Sequence, residues 1–455
     1  MKFIAAATAI TVLFLLTRCY AARIWTAGPA TADDPDSPET ARLIEVLFHE
    51  HKVEEYERFE EDYQRLEEMG ELAVPALIKA LADPRTASVH FERRGYRPHG
   101  YSPFDRITGL LEPFAPAEAV RPLESFLRHE DSDFRKQAAL ALGNIGTSVC
   151  IPPVLTALDD TDEYVRSYAL NGIDRAITAG RGTPEFLDAV FARMPKLFTS
   201  HAAASQLMLK INPDKAVPIL LSPEHFTSEN ERLYDILAAL NTGGHKVPHT
   251  LLLPLLASQK PLIDDFPHNR IYGEALIAYA NNPDAMTEAT LRDELRSPAE
   301  KVQEAAAEAL AILAGVANAL AFVFETLNRR GFDKLTTPQQ HYYSVLMYDA
   351  EVNNGGHSQY FVNPSGEHWK EAVAGLKALG ASSRATILQQ AGALFGPDGP
   401  AVDSDTRLRQ FNAMTQQQQT SLSALDSRYY SNDENIEALL SLFAISNREH
   451  FGGKR

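Results

Sequence analysis

The sequence predicts an all-α protein, in which an α-solenoid of repeated helical hairpins is followed by a small all-helical C-terminal domain. The first observation is a recurring motif, because residues 74–83 align without a gap on residues 151–160. The second is an alanine-rich pattern at 134–143 that returns at 165–173, a step of 31 residues. The third is a change of character after Ala314, where glycine and proline separate shorter helical segments.

Length and composition agree with this interpretation. A chain of 455 residues exceeds the size at which one hydrophobic core keeps growing, so repeats or several domains are expected. The formal net charge of -17 disfavours non-specific binding to nucleic acid or anionic lipid. Cationic partners, or simple solubility, are favoured instead.

In the clearest copies, an Asp-rich turn precedes Phe-Arg or Val-Arg and an Ala-rich helix with glycine near its end, and a helix that opens with Val-Pro-Ala-Leu at 74 or Ile-Pro-Pro-Val at 151 alternates with it. This order resembles the HEAT-repeat family, in particular its short bacterial, PBS-lyase-like type, over residues 66–314 and most closely over 123–177. The resemblance implies stacked hairpins, because one hairpin cannot bury its own apolar face. We therefore predict a HEAT-like repeat array over residues 71–315.

The N-terminus predicts export. Met1-Lys2 precedes an apolar stretch over residues 3–16, which is shorter than the roughly 20 residues that span a bilayer. We predict a signal peptide over residues 1–21, cleaved after Ala21, and hence a periplasmic or cell-envelope protein. The alternatives are an uncleaved inner-membrane anchor and a lipoprotein at Cys19; if the signal interpretation is wrong, the protein is cytoplasmic.

Residues 22–37 predict an extended tether, and residues 38–70 an acidic N-terminal helix that begins after Ser37 and ends at Gly70. Residues 33–71 contain fifteen carboxylates and four basic side chains, which gives this segment a net charge of -11. These carboxylates form either a solvated helix face or a surface for cations or basic proteins. Without the signal peptide only Cys150 remains, so no internal disulfide is possible.

A basic, aromatic-rich loop interrupts the repeats between residues 85 and 105. It either packs over its neighbours or binds a partner, since arginine and tyrosine are enriched at binding hot spots. The candidate binding residues are Arg93, Arg94, Tyr96, Arg97 and Tyr101.

The C-terminal domain, predicted over residues 321–452, contains Glu-Val-Asn-Asn-Gly-Gly-His-Ser-Gln-Tyr-Phe-Val-Asn at 351–363 and Leu-Asp-Ser-Arg-Tyr-Tyr at 425–430. These segments resemble the domain family named after a bacterial DNA-mimic protein. The resemblance implies an all-helical domain, and in the founding member a dimer whose acidic surface occupies the DNA-binding face of a transcription factor. Residues 322–455 have a net charge of only -2, whereas mimicry needs a dense anionic surface.

The motif at 351–363 predicts either a structural clasp or a partner-binding pocket. We expect a helix over 341–352 to stop at the glycine pair. The Glu351 carboxylate would then accept hydrogen bonds from the N–H groups of the glycine turn. In the clasp, Asn353, Gln359 and Asn363 bridge the turn and the helix. The candidate residues for either role are Glu351, Asn353, Asn354, Gly355, Gly356, Gln359, Tyr360, Asn363 and Trp369.

The sequence contains no glycine-rich phosphate loop, Gly-x-Ser-x-Gly turn, His-Glu-x-x-His or paired Cys-x-x-Cys motif. We therefore predict no enzymatic activity, no cofactor and no metal.

The predicted function is that of a scaffold of the cell envelope that binds a protein partner. The resemblance of the C-terminal domain to a dimeric family implies that a homodimer through this domain is one option. No direct contact with nucleic acid is expected, and none with the membrane beyond the N-terminal segment. One alternative is a DNA-mimic-type regulator that binds a DNA-binding protein through an acidic surface. A second is an enzyme of unknown type with a site around residues 351–363.

Overall fold

The computed structural model describes residues 37–51, 55–91, 99–197, 201–227 and 229–453. These residues form α-helices and short 3-10 turns, with no strand among them, so the predicted all-α fold class is confirmed. They fall into two compact units, which divide between His225 and Phe226. The predicted signal peptide, the tether before residue 37, and Arg93, Arg94, Tyr96 and Arg97 lie outside the described residues. The predicted domain boundaries stay predictions.

The N-terminal unit, described from Ser37 to His225, consists of short helices joined by tight turns. Its α-helices are α1 (Pro38–Val46), α2 (Tyr56–Met69), α3 (Val74–Leu81), α4 (Pro84–Ser88), α5 (Pro103–Leu111), α6 (Val120–Phe126), α7 (Ser132–Ile145), α8 (Ile151–Leu158), α9 (Glu163–Thr178), α10 (Pro184–Arg193), α11 (Ala202–Ile211) and α12 (Pro213–Leu220). Its 3-10 turns are Gly70–Ala73, Ala117–Ala119, Ser148–Cys150, Met194–Lys196 and Pro223–His225.

The Asp-rich turns of the repeats start the alanine-rich helices. The Asp131 carboxylate accepts a hydrogen bond from the backbone N–H of Asp133 at 2.8 Å, and the Asp162 carboxylate accepts one from Tyr164 at 2.8 Å. A short acidic side chain at this position satisfies a helix N–H that has no partner within the helix. The repeat motif therefore sets where α7 and α9 begin.

Helices α7 and α9 pack at very short range because each has a glycine where they meet. A Cβ on Gly172 would lie 2.2 Å from the carbonyl oxygen of Leu140, and one on Gly143 would lie 2.8 Å from that of Ala169. No side chain fits at such distances. The glycines thus bring successive repeats into backbone contact.

Arginines in the repeats bind the preceding turn. Arg135 donates to the carbonyls of His129 and Glu130 at 3.0 and 3.1 Å, and Arg166 donates to those of Asp160 and Thr161 at 2.7 and 3.2 Å. Both arginines therefore reach carbonyls six and five residues earlier. The 31-residue sequence repeat is a repeat of hydrogen bonding as well as of helices.

The acidic segment 38–70, predicted as one helix, contains the two helices α1 and α2. After α1, the buried guanidinium of Arg106 donates hydrogen bonds to the carbonyls of Leu47 and His49 at 3.0 and 2.8 Å, which prevents the helix from continuing. These are carbonyls that a continuing helix would use itself. Gly70, with a φ of 59°, follows the end of α2 as predicted.

The C-terminal unit is described from Phe226 to Gly453. Its α-helices are α13 (Leu233–Thr242), α14 (His249–Gln259), α15 (His268–Asn281), α16 (Thr287–Glu294), α17 (Glu300–Leu313), α18 (Ala319–Arg330), α19 (Thr337–Val362), α20 (Trp369–Leu379), α21 (Ser382–Ala393), α22 (Ser404–Asn412), α23 (Gln416–Tyr430) and α24 (Ile436–Ser446). Its 3-10 turns are Lys260–Leu262, Phe332–Lys334, Pro364–His368 and Arg448–His450.

Helix α17 repeats the pattern of α7 and α9 and joins the last repeat to the C-terminal domain. The Gln303 amide donates to the carbonyl of Ser297 at 2.7 Å, six residues earlier, where the other repeats use arginine. On its other side α17 packs against α24, and the Asn435 amide donates to the carbonyl of Glu300 at 3.3 Å. The C-terminal domain is therefore packed directly on a repeat helix.

Several carboxylates lie close together where α15, α17 and α24 pack. The pKa of Glu304 is raised from its ordinary value of 4.5 to about 7, first by burial and then by the Glu437 carboxylate, although the Lys301 ammonium lies 2.5 Å away. Burial also raises the pKa of Glu274 to about 7, and the Asn241 amide that donates to it at 3.0 Å lowers it only in part. These acids bind protons more tightly in the folded chain than in the unfolded chain.

The close contact of α7 and α9 predicts that Gly172→Ala is destabilising. The added methyl group would overlap the backbone of Leu140, so the helices must separate, and we expect the free energy of unfolding to fall by about 1–3 kcal/mol. Urea unfolding followed by circular dichroism at 222 nm measures the change. Asn171→Ala, an exposed substitution on the same helix, serves as the control; an equal effect of the two substitutions would contradict the close-contact explanation.

The raised pKa of Glu304 predicts that ionisation of this group weakens the fold. An acid whose pKa is higher in the folded state stabilises it at low pH, and this contribution is lost as pH rises from about 4.5 to about 7. Glu304→Gln should therefore be more stable than the original chain at pH 8, on the order of 2 kcal/mol, with the difference vanishing near pH 4.

Urea unfolding at both pH values tests this, with Glu325→Gln as a control in which an exposed carboxylate is replaced. A Glu304→Gln chain that is less stable than the original at pH 8 would show that the ion pair with Lys301 outweighs the cost of burial.

Candidate functional site

Glu351, in α19, is the centre of a cluster of polar side chains. Its Oε2 accepts hydrogen bonds from the amides of Gln359 at 2.7 Å and Asn363 at 2.8 Å. Its Oε1 accepts one from the hydroxyl of Ser365 at 3.1 Å. Side chains, rather than the N–H groups of the glycine turn, therefore satisfy this carboxylate.

A kink at the glycine pair makes this cluster possible. In a straight helix, residues eight positions apart are separated by about 12 Å along the axis, too far for Gln359 to reach Glu351 so closely. Gly356 has a φ of 74°, and a Cβ there would lie 2.7 Å from the Asp426 carboxylate. A Cβ on Gly355 would lie 2.2 Å from the Gln359 amide oxygen. A side chain at 355 would displace Gln359 from its present position, and Gly356 is required by its backbone conformation.

A second network holds the chain directly after the kink. His357, which is fully buried, donates its backbone N–H to the Asp426 carboxylate at 2.8 Å, and its Nδ1 lies 2.5 Å from the same oxygen. Its Nε2 lies 2.9 Å from the hydroxyl of Tyr348. With Nδ1 protonated, the ring donates to Asp426 and accepts from Tyr348, so every polar atom of the imidazole has a partner.

A third network joins α19 to α21 and α23. The Arg384 guanidinium lies 2.9 Å from the Asp349 carboxylate and covers the ring of Tyr429 at 4.1 Å from the centroid. The Tyr429 hydroxyl and the Asn353 amide also donate to Asp349. Burial raises the pKa of Asp349, whereas Arg384 opposes the shift. The carboxylate is therefore tied to three helices of its own domain.

Arg407 is a buried, extensively hydrogen-bonded residue that was not among the residues predicted from the sequence. Its side chain is fully buried, yet its guanidinium donates to backbone carbonyls rather than to a carboxylate: Phe361 at 2.6 Å, Asn363 at 3.0 Å, Ala401 at 2.7 Å and Val402 at 2.6 Å. Two of these carbonyls lie at the C-terminal end of α19, where positive charge is favoured. No motif in the sequence marks such an arginine.

The structure places the candidate residues of the motif in different surroundings. Glu351, Gln359 and Asn363 come together, whereas Asn353 binds Asp349 and Asn354 is exposed.

Tyr360 and Trp369 are directed elsewhere. Tyr360 is fully buried, and its hydroxyl has no hydrogen-bond partner in the described part of the chain. Trp369 donates its indole N–H to the carbonyl of Pro400 at 3.1 Å.

A separate cavity of about 510 Å³ lies in the N-terminal unit, bordered by α5, α7 and α9. Tyr101, the one described residue among the five candidate binding residues of the basic loop, lines it. The Tyr101 backbone N–H donates to the Asp105 carboxylate at 2.8 Å, and Ser102 begins α5 by accepting from the Asp105 N–H at 3.1 Å. The end of the loop, at Tyr101 and Ser102, therefore borders the cavity.

The charged side chains that line the cavity are paired. Lys136 lies 2.5 Å from Asp133, and Arg175 is ion-paired with Glu112. The half-buried side chains of Gln137 and Tyr168 also line the cavity. Within those residues, no group of three His, Cys, Asp or Glu side chains comes together as it would around a metal ion. In the same part of the chain, no helix combines the length and apolarity needed to cross a bilayer.

Comparison with known proteins supports both resemblances found in the sequence. Residues 333–447 match the model of the DMP19-like protein family, and residues 107–174 match that of HEAT repeats. No curated protein matches the chain. Among solved structures, the chain is similar to an engineered protein from the Northeast Structural Genomics Consortium, at 14% identity over 91% of this chain and 99% of the other. The TM-score of 0.28 is too low for that likeness to support a conclusion.

The Glu351 cluster predicts that Glu351→Ala destabilises the C-terminal domain, because the half-buried amides of Gln359 and Asn363 lose their acceptor. We expect a loss of about 1–3 kcal/mol, and a smaller loss for Glu351→Gln, which keeps one acceptor oxygen. Urea unfolding followed by Trp369 fluorescence reports this domain if the other of the two tryptophans is replaced by Trp25→Phe. The exposed Glu367→Ala is the control, and an equal loss there would remove the special role of Glu351.

Proposed function

We propose that this protein is a non-enzymatic scaffold of the cell envelope that binds a protein partner through its HEAT-type repeats. The observation that carries the proposal is that the HEAT-repeat match and the cavity lie in the same part of the chain. The segment that matches HEAT repeats, residues 107–174, includes most of the helices that border the cavity of about 510 Å³. HEAT-type stacks present extended surfaces for partners, and the cavity lies on such a stack among the described residues.

The absence of enzymatic activity is supported by the polar networks of the C-terminal domain. Glu351, His357 and Asp349 are acid-base groups of the kind that catalysis uses, but each is bonded to side chains of its own domain. His357 is also inaccessible to a substrate because it is fully buried. These groups therefore serve to hold the kinked helix in place.

The envelope location is supported by the apolar stretch after Lys2, which has the length of a signal-peptide core. A protein that is exported meets partners in the periplasm rather than transcription factors in the cytoplasm. The partner is accordingly expected to be an envelope protein.

The alternative function is that of a regulator that mimics DNA, and the match of residues 333–447 to DMP19-like proteins is the observation that favours it. Mimicry requires carboxylates that face solvent in a dense array. Several acids of this domain are instead used internally: Asp349 binds Arg384, Asp426 binds His357, and Glu434 accepts the backbone N–H groups of Ser383 and Arg384 at 2.8 Å each. Internal use of these acids leaves less charge for mimicry.

Photo-cross-linking in cells tests the proposal. Tyr101 is replaced by p-benzoylphenylalanine in the full-length protein, which is expressed in a bacterial host, irradiated and fractionated. We expect a discrete protein adduct in the periplasmic fraction, on a chain whose mature N-terminus, determined by mass spectrometry, is Ala22. The matched control places the same amino acid at Tyr164, which is 61% exposed but does not line the cavity, and should give no such adduct.

Two outcomes would contradict the proposal. Adducts of equal yield from both positions would show contact without a defined binding surface. An intact cytoplasmic chain that begins at Met1, cross-linked to a DNA-binding protein, would favour the mimic.

A further inference from the structure

We infer that the contact between α17 and α24 is a proton-dependent joint. In this joint, α24 of the C-terminal domain is docked on the repeat helix α17 while Glu304 holds a proton, and it is released as Glu304, Glu308 and Glu437 become charged together. The inference goes beyond the proposed function and does not depend on it. It is carried by the weak polar contacts across the joint, by the carboxylates that meet there, and by the use of the neighbouring cations in other contacts.

The polar contacts between α17 and α24 are weak. The two helices pack directly on each other. Asn435, which begins α24, reaches with its amide the carbonyl of Glu300 at 3.3 Å and the amide oxygen of Gln303 at 3.4 Å. These distances are long for N–H···O hydrogen bonds, so both contribute little. Repulsion between charges in the joint can therefore overcome them.

Carboxylates from both helices meet in the joint. Glu437 lies on α24, two residues after Asn435, and its charge acts on Glu304 and Glu308 of α17. After desolvation, Glu437 is the main reason why the pKa of each of these two acids is raised, and the pKa of Glu304 reaches about 7. Part of the Glu308 and Glu437 side chains remains open to solvent, so protons can enter and leave the joint directly.

The nearest cations do not balance these carboxylates. Lys301 lies 2.5 Å from Glu304 on the same helix, but the Glu300 carboxylate acts on Glu304 with the opposite sign. On α15, Arg270 acts on Glu274, on which the Glu308 carboxylate acts as well. The row of acids thus extends from α24 across α17 to α15.

Other charged residues on the elements packed against α17 and α24 are used in other contacts. Around α16, Glu288 pairs with Arg292, Asp293 with Arg296, and Glu294 with Lys260. On α19, Glu351 and His357 belong to the networks described above, and Asp349, on which Glu437 also acts, is bound by Arg384. On α20, Glu371 acts on His341, Lys370 covers the Trp369 ring and Lys377 is exposed, while Arg448 follows the opposite end of α24. Ionisation of the joint therefore leaves an excess of negative charge.

Protonation accordingly favours the docked state. When α24 leaves α17, Glu304 loses the nearby charge of Glu437 and regains water, so its pKa falls back toward 4.5. A group whose pKa is higher in the docked state stabilises that state at low pH, and this contribution is lost as pH rises from about 4.5 to about 7. The joint is thus closed in acid and loosened above neutral pH.

Hydrogen–deuterium exchange of the full-length protein, measured by mass spectrometry at pH 6 and pH 8, tests the inference. Exchange rates are corrected for their intrinsic pH dependence and expressed as protection factors of peptides that cover α24. We expect the protection factor of α24 to be about ten-fold lower at pH 8, which is the change that linkage gives for a pKa of about 7 against 4.5. Peptides of α8, in the N-terminal unit, are the reference and should keep their protection.

Two variants locate the effect in the joint. Glu304→Gln should abolish the change between the two pH values, because the group that titrates is gone. Glu437→Gln, at an exposed position that tolerates substitution, should reduce the change to about three-fold, since only the burial of Glu304 remains. Asp433→Asn neutralises an exposed carboxylate just before α24; it is the matched control and should retain the ten-fold change.

The inference is overturned if α24 is equally protected at both pH values, if Glu304→Gln and Glu437→Gln both retain the ten-fold change, or if Asp433→Asn removes it as they do. It is also overturned if α15 opens to the same extent as α24 at pH 8, because the whole unit would then unfold rather than the joint. None of these outcomes alters the result of the cross-linking experiment, which tests the scaffold function through the N-terminal unit.

Discussion

Backbone contact between neighbouring helices is the constraint on which the N-terminal unit depends. Gly143 and Gly172 remove the side chains that would keep α7 and α9 apart, and the 31-residue step then places equivalent residues side by side. The contact sets the separation of the two helices that border the cavity. A wider separation would leave the same residues on the same faces but would change the distance across which a ligand is held.

Buried arginines that bind backbone carbonyls are the second general feature of the chain. Arg106 does so at the end of α1 and Arg407 at the end of α19, where the last carbonyls of a helix have no partner within it. Arg135 and Arg166 do the same for the turns between repeats. A guanidinium has five donors in a plane, so one side chain can satisfy several carbonyls that converge from different segments.

The C-terminal domain uses its most reactive side chains for its own structure. The kink at Gly355 and Gly356 turns the second half of α19 back on the first, and Glu351, His357 and Asp349 each tie one part of that bend to a neighbouring segment. Because α24 packs on α17, the domain shares its unit with the last repeat helix. We accordingly propose that partners contact the surface of the repeats rather than the motif at 351–363.

The sequence by itself determined the fold class, the positions of the strongest repeats and the resemblance of both parts to known families, because these depend on local periodicity and on residue types that start and end helices. It also brought Glu351, Gln359 and Asn363 into one candidate group. The helix breaks at the glycine pair, where Gly355 and Gly356 are non-helical. Only the tertiary structure decided that a second helical segment follows directly after the break, since contacts with Asp426, 70 residues after Gly356 in the chain, hold it. The burial of Tyr360, the role of Arg407 and the cavity beside Tyr101 were likewise decided by packing between distant segments, which no local pattern of residues records.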